Sequence, residues 1–326
     1  MKLRIFILFV FYSFSFQLLA IGAGLTNDPL LEFVQLNYTP SSTLGYNPAR
    51  DILYSIIDIK PGNQLSGIYS DYTITLDPEL DPSTDAYHKG INCEHTFPQS
   101  YGSGDEPQRS DMHHLFPCKS NVNSSRNNHP FGEIPDEDTD NWYYSNIVAH
   151  SVPSSNRDMY AEKENDGVDR FEPREAVKGD IARAMFYFYC IYNDAADDAF
   201  FEGQKDVLLQ WHHQDPADDD EIERTWQIAE YQHDLPNPFI IDETLAERIW
   251  FNLGTPEISG ITQSDEMITL NWTSVETASN YQIFSSDNPA AEFPQDWNLL
   301  QDNVTTTQLI INGDDKFKFF RIRAVN

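Results

Sequence analysis

Residues 78–170 are dense in Pro, Gly, Asn, Asp and Ser, and that stretch limits the fold more than any other. Such clusters interrupt helices and central strands, so only short elements joined by loops fit there. A long irregular region inside a compact domain is either functional or without fixed structure. Its chemistry favours function. Five of the nine histidines (His88, His95, His113, His114 and His129) fall between residues 88 and 129 of it, and Glu94 stands directly before His95. Amides and a cation follow, in the run Asn121-Val122-Asn123-Ser124-Ser125-Arg126.

The flanks are more regular. Ala49–Ile57 sets Ile52 with Ile56 and Leu53 with Ile57 at helical spacing, while Gly67–Leu76, after Pro61-Gly62-Asn63, reads as extended. Glu175–Tyr192 is the clearest helix, with Val177, Ile181, Met185 and Tyr189 in one apolar row. Asp206–Trp211, Glu221–Tyr231 and Asp242–Asn252 are further helices, the last with Asp242 as cap and Gly254 as stop. From Thr255-Pro256 onward the period becomes two: Ile268, Leu270 and Trp272 alternate, as do Tyr281 with Ile283 and Phe320 with Ile322. Short alternating strands separated by turn residues predict a β-sandwich.

The amino end reads as a secretory leader. A basic start, Met1-Lys2-Leu3-Arg4, precedes an uncharged run to Ala20 and small residues up to Ala23. That run is below the roughly 20 residues needed to cross a bilayer, so the expectation is a secreted or periplasmic protein without stable membrane insertion. The expected organisation is a leader over 1–23, an α+β domain over 24–254 and a small all-β sandwich over 255–326. Cys93, Cys118 and Cys190 make an odd count, so at least one stays unpaired. A Cys93–Cys118 bridge and buried free thiols both remain open.

Charge cuts against one function class. The 52 Asp and Glu against 21 Lys and Arg give a net charge of −31, whereas nucleic-acid binders usually present a basic face. The window from His88 to Pro130 escapes this trend, because Lys89, Arg109, Lys119 and Arg126 balance Glu94, Asp105, Glu106 and Asp111. Phosphodiester hydrolysis needs a base for water and positive charge for the phosphate and leaving oxygen. A histidine suits the first task. A hard divalent ion suits the second, held by a carboxylate and an amide oxygen with waters retained. Glu94 and His95 on one strand would point to opposite faces, so they can share a site only at an irregular or terminal position.

Asn92-Cys93-Glu94-His95-Thr96-Phe97-Pro98-Gln99-Ser100, then Asp111-Met112-His113-His114-Leu115-Phe116-Pro117 and Asn123 to Arg126, resemble the endonuclease I family. Phe171-Glu172-Pro173, Lys178-Gly179-Asp180-Ile181-Ala182-Arg183-Ala184, Trp211 and Asp215-Pro216 continue the resemblance in order, and it spans about Asp28 to Gly254. It implies an exported ββα-metal nuclease core with surrounding helices and long loops, cutting DNA and often RNA with little sequence preference. By position, Glu94 and Asn123 resemble the metal ligands, for Mg²⁺ or another hard cation such as Mn²⁺ or Ca²⁺. His95 resembles the general base, Arg126 a phosphate contact, and Asp111, His113 and His114 a supporting group. The expected products carry 5′-phosphate ends. One departure stands out: where the family commonly closes with Gly-Asn-Arg-Asn-Pro-Phe, this chain reads His233-Asp234-Leu235-Pro236-Asn237-Pro238-Phe239, without the arginine. The last 70 or so residues resemble a fibronectin type III module. Two alternatives stand beside this reading: a zinc-dependent hydrolase using Cys93, His95, His113, His114 and Cys118, and a non-catalytic surface-binding protein that works through the sandwich.

Overall fold

The computed structural model describes residues 20–165, 169–251, 254, 256–264, 267–275, 278–288, 297–312 and 319–325. Most of the expected leader, residues 1–19, lies outside the described residues. The chain divides into two compact units after Ala246. The helical turn Glu247–Phe251, expected to close the first domain, falls with the second unit.

The first unit opens with α1 (Asn27–Tyr38) and α2 (Tyr46–Ile52), the latter running on as a π-helical turn over Leu53–Ile57. A small antiparallel sheet follows, of β1 (Ile59–Lys60), β2 (Gln64–Ser66) and β3 (Thr73–Thr75). The extended run expected over Gly67–Leu76 is therefore broken by a turn. Gly67 N donates to Tyr72 O at 2.8 Å, and Ile68 N donates to Pro117 O at 2.9 Å. A Cβ on residue 67 would lie 2.8 Å from Lys119 N, so only glycine lets this turn press onto the neighbouring strand.

The irregular stretch resolves into short elements. α3 (Pro82–His88) starts where the Asp81 carboxylate accepts from Thr84 N at 2.8 Å, with Pro82 in its first turn. It leads into β4 (Ile91–His95), and β5 (Leu115–Lys119) returns antiparallel to it with Glu94 opposite Phe116 and His95 opposite Leu115. α4 (Ser120–Arg126) begins at the next residue and packs on both strands. A second sheet collects β6 (Asn141–Tyr144), β7 (Ile147–Ala149), β8 (Ala161–Lys163) and β9 (Phe171–Glu172) in the order β7-β6-β8-β9.

α5 (Lys178–Ile191) carries the expected apolar row, but it is buried on nearly every face, with Asp180 alone half-buried. α1, the 3₁₀ turn Met112–His114, α7 (Lys205–Gln214) and α9 (Pro238–Ile241) all pack on it. Its polar members are paired accordingly. Arg183 meets Glu221 at 2.5 Å, and Lys178 meets Glu172 at 2.8 Å. Between these helices, α6 (Asp198–Glu202) and α8 (Asp219–Ala229) are capped by Asp197 and Asp218, so part of the acidic excess serves helix starts.

The second unit holds two three-stranded antiparallel sheets. β10 (Ile258–Ser264), β11 (Met267–Trp272) and β14 (Gln308–Asn312) form one; β12 (Asn280–Ser286), β13 (Asn298–Val304) and β15 (Phe319–Val325) form the other. Leu270 and Trp272 from the first share a core with Tyr281, Ile283 and Ile322 from the second.

Candidate active site

Side chains alternate across β4, so Asn92 and Glu94 share one face while Cys93 and His95 take the other. His95 is the last residue of the strand, which puts the Glu94-His95 pair at the terminal position that the shared-site condition requires. Cys93 packs into the hydrophobic core on its face. Cys118 stands opposite Asn92, on the other face, so a Cys93–Cys118 bridge would have to cross the sheet. All three cysteines are buried free thiols.

Glu94 is 2% exposed, yet its carboxylate is not alone. Tyr69 Oη donates to Oε1 at 2.8 Å, and Arg126 Nη1 lies 3.2 Å from the same oxygen. Burial pushes its pKa up to about 7, against the opposing pull of Arg126 and Tyr69. Oε2 has no protein donor among the described residues. Asn123, one turn into α4, donates from Nδ2 to Asn92 Oδ1 at 3.0 Å and to Cys93 O at 3.1 Å. Those bonds tie the amide to β4 on the Asn92 side. They use its nitrogen and leave Oδ1 without a protein donor among the described residues. Two oxygen donors of this kind, one anionic and one neutral, suit a hard divalent ion that keeps most of its waters.

His95 is 7% exposed, and its ring stacks on Tyr46 with centroids 5.4 Å apart. Nε2 sits 3.1 Å from Arg109 O; a carbonyl only accepts, so Nε2 carries the proton. Nδ1 is therefore the basic nitrogen, and Gln99 Nε2 reaches it at 3.3 Å. Burial, reinforced by the nearby His114, pulls the His95 pKa down to about 3, so the ring stays neutral across ordinary pH. A neutral imidazole with its lone pair on Nδ1 is equipped to accept a proton.

Arg126 departs from the phosphate-facing place expected for it. It is 1% exposed, donating to His95 O at 3.2 Å, Thr96 O at 2.6 Å and Asn127 O at 3.3 Å while pairing with Glu94. Its guanidinium also lies 4.5 Å from the centre of the Phe131 ring. It clamps the turn that follows β4 and holds Glu94.

Asp111, His113 and His114 form a buried frame. The Asp111 carboxylate accepts from His113 N, Gln232 Nε2, Tyr187 Oη and Tyr192 Oη, all within 3.0 Å. His113 Nε2 donates to Leu235 O at 2.9 Å and His114 Nε2 to Gln108 O at 2.7 Å. Desolvation lowers both imidazole pKa values, that of His114 to about 4. Only His114 touches the proposed base, with ring centres 5.5 Å apart.

The sequence profile of endonuclease I matches residues 31–244, most of the chain and all of these residues. The chain belongs to the endonuclease I family. It is 33% identical over 177 residues to a protein of Bacillus subtilis (strain 168) described as an extracellular ribonuclease, covering 49% of this chain and 54% of that protein. A Bacillus amyloliquefaciens protein of the same description is 34% identical over 175 residues, covering 49% and 53%. The chain thus spans about half the length of these curated relatives.

For this endonuclease I family member, a zinc centre on Cys93, His95, His113, His114 and Cys118 does not assemble. No group of three or more His, Cys, Asp or Glu fit for a metal occurs among the described residues. His113 and His114 are instead committed to backbone carbonyls. Sequence reasoning also missed residues that reach the site from far upstream. Tyr69 binds Glu94, and Tyr46 packs on His95 with the guanidinium carbons of Arg50 and Arg109 each 4.5 Å from its ring centre. The Nε atoms of both arginines are buried without a partner. Nothing in the order of residues points to Tyr46 or Arg50, although Arg109 was visible as one of the cations in the balanced window.

Proposed function

We propose that this chain is an exported, metal-dependent endonuclease that hydrolyses phosphodiester bonds of nucleic acid with little sequence preference. One observation carries the proposal: His95 ends β4 as a neutral imidazole whose lone pair lies on Nδ1, next to a carboxylate and an amide with free oxygens. Glu94 and Asn123 are the ligands for one Mg²⁺-type ion, with Mn²⁺ or Ca²⁺ as alternatives. Bound there, the ion supplies positive charge for the phosphate and the departing oxygen. His95 Nδ1 takes a proton from water as the water oxygen bonds to phosphorus; the bond to the 3′ oxygen breaks and that oxygen takes a proton from solvent, leaving 5′-phosphate and 3′-hydroxyl ends. The Arg109 carbonyl holds the ring by accepting from His95 Nε2, which fixes the tautomer, while the Arg109 and Arg50 guanidiniums on Tyr46 supply positive charge beside it. Asp111, His113 and His114 support the turn that sets His95.

Family membership and the two extracellular ribonucleases support nucleic acid as the substrate and export as the destination. Their description as ribonucleases favours RNA as a substrate. No described helix is long and apolar enough to cross a membrane. The C-terminal unit is assigned as a fibronectin type III-like module on the strength of its two antiparallel sheets.

Purified protein incubated with plasmid DNA and with single-stranded RNA, in Mg²⁺ or EDTA, tests this directly. Cutting in Mg²⁺, none in EDTA and a loss of at least about 100-fold in His95→Ala are expected. Wild type inert on both polymers with every hard divalent ion would refute the activity, and full activity in His95→Ala would remove the base. RNA fragments ending in 2′,3′-cyclic phosphate would show attack by the 2′-hydroxyl instead of water.

A further inference from the structure

Tyr69 stands 25 residues before Glu94, on the turn between β2 and β3, and is fully buried. Its turn is tied to the elements around the site. Ile68 N donates to Pro117 O of β5 at 2.9 Å, Arg174 Nε donates to Ile68 O at 3.0 Å, and Ser145 N donates to Ser70 O at 2.5 Å. The Tyr69 ring packs against Phe171 and Phe131, with centroids 4.9 and 6.2 Å away. Backbone and ring are both held, and with them the aim of the hydroxyl. A buried phenol needs an acceptor, and Tyr69 Oη donates to Glu94 Oε1 at 2.8 Å.

We infer that Tyr69 is a positioning residue: its hydroxyl withholds Oε1 from the metal, makes Glu94 a one-oxygen ligand through Oε2, and so turns the site against Ca²⁺. This deepens the proposed metal site and rests on it. An ionised carboxylate has about four lone-pair positions, two on each oxygen. At Oε1 the Tyr69 hydroxyl takes one, and the Arg126 guanidinium stands 3.2 Å from the same atom. A metal ion at that oxygen would meet the guanidinium charge at close range. Oε2 meets no protein donor among the described residues, so it is the oxygen left to bind. Asn123 is limited in the same way, because its Nδ2 is held by Asn92 Oδ1 and Cys93 O, and only its Oδ1 remains. Two fixed oxygens, one from each side chain, suit a small ion that retains its waters. Ca²⁺ gathers about six to eight oxygens and often takes both from one carboxylate, which Tyr69 and Arg126 prevent. The site is therefore built for Mg²⁺ or Mn²⁺ over Ca²⁺.

Metal-free protein titrated with Mn²⁺, the free ion being followed by electron paramagnetic resonance, tests this without substrate. Wild type should bind Mn²⁺ in a way that Glu94→Gln abolishes, and Ca²⁺ should displace it only in excess. Tyr69→Phe removes one oxygen and keeps the ring. It should weaken Mn²⁺ binding by about 10-fold and narrow the margin over Ca²⁺, with cooperative unfolding retained. An unchanged Mn²⁺ affinity in the folded variant, or a margin over Ca²⁺ that does not narrow, overturns the role given to Tyr69. Wild type that binds no ion through Glu94 overturns the metal site itself, a separate failure. A second measurement needs no change at residue 69. In the infrared difference spectrum on adding Mg²⁺, the carboxylate bands lost in Glu94→Gln should show the wide separation of antisymmetric and symmetric stretches that one-oxygen ligation gives. A narrow separation, the mark of both oxygens on one ion, overturns the inference even where Tyr69→Phe fails to fold.

Discussion

Replacing Arg126 with alanine separates a buried clamp from a phosphate contact. The guanidinium holds Glu94 Oε1 at 3.2 Å, His95 O at 3.2 Å and Thr96 O at 2.6 Å, and it is 1% exposed. Removing one partner of such a buried pair costs about 3–5 kcal/mol. At pH 7 the loss should lie near 3 kcal/mol, because Glu94 can take a proton rather than remain charged and unpaired. The pH dependence sharpens the test. In the wild type, burial raises the folded Glu94 pKa from 4.5 to about 7. Its contribution to stability is therefore full below the unfolded pKa and lost as pH rises to about 7, after which it levels off. Without Arg126 the folded pKa rises further, so the loss continues past 7. The gap between variant and wild type should widen by about 1.4 kcal/mol per pH unit there. Urea unfolding from pH 6 to 9 measures it, and Glu94→Gln in the Arg126→Ala background should abolish the widening. Activity per folded molecule should fall in kcat, with Arg126→Lys restoring part of it. A variant within about 1 kcal/mol of wild type at every pH, defective only through a higher KM, would refute the clamp and return Arg126 to the phosphate.

Asp111→Ala should destabilise the fold by about 3–5 kcal/mol in chemical unfolding, since it leaves four buried donors without their acceptor; a loss under 1 kcal/mol would contradict the frame. Glu162 is buried, accepts from Thr139 Oγ1 at 2.5 Å and has a pKa raised to about 8, chiefly by desolvation. Its contribution is full below the unfolded pKa of 4.5 and lost as pH rises towards 8, so Glu162→Gln should flatten the stability slope across that range by up to about 1.4 kcal/mol per unit. Asn123→Ala should raise the Mg²⁺ concentration needed for half-maximal cutting by about 10-fold or more, with cutting recovered at high Mg²⁺; an unchanged metal requirement would remove Asn123 from the ligand set.

Periodicity carried the long helices and the alternating strands of the second unit, because a single buried face imprints its spacing on the chain. It said less about α5. There the apolar row is real, but Arg183 and Lys178 look like solvent-facing residues until their partners Glu221 and Glu172 are seen beside them. It also read straight through Gly67, whose turn is dictated by Lys119 on another strand, a contact that local pattern cannot encode. The same limit applies at the site. Glu94, His95 and Asn123 announced themselves by residue type and order, and the structure brings the three around one strand end. Tyr46 and Tyr69 are ordinary aromatics in sequence and become meaningful only through packing on His95 and Glu94. Arg126 shows the converse error: a cation beside a polyanion site suggests contact with substrate, yet burial and four oxygen partners direct it inward.

Gln232 ties this framework together from far along the chain. Its Oε1 accepts from Met112 N at 2.7 Å and its Nε2 donates to Asp111 Oδ1 at 2.9 Å. Tyr187 and Tyr192 complete the same carboxylate from the middle of the chain. A polypeptide emerging amino end first presents His95 long before these partners exist, and the turn beside it keeps unmet polar groups until position 232 has emerged. Competence of the proposed catalytic site is thus scheduled late in biosynthesis. Fragments ending short of Gln232 would hold every proposed catalytic side chain and still lack the means to lock them in place.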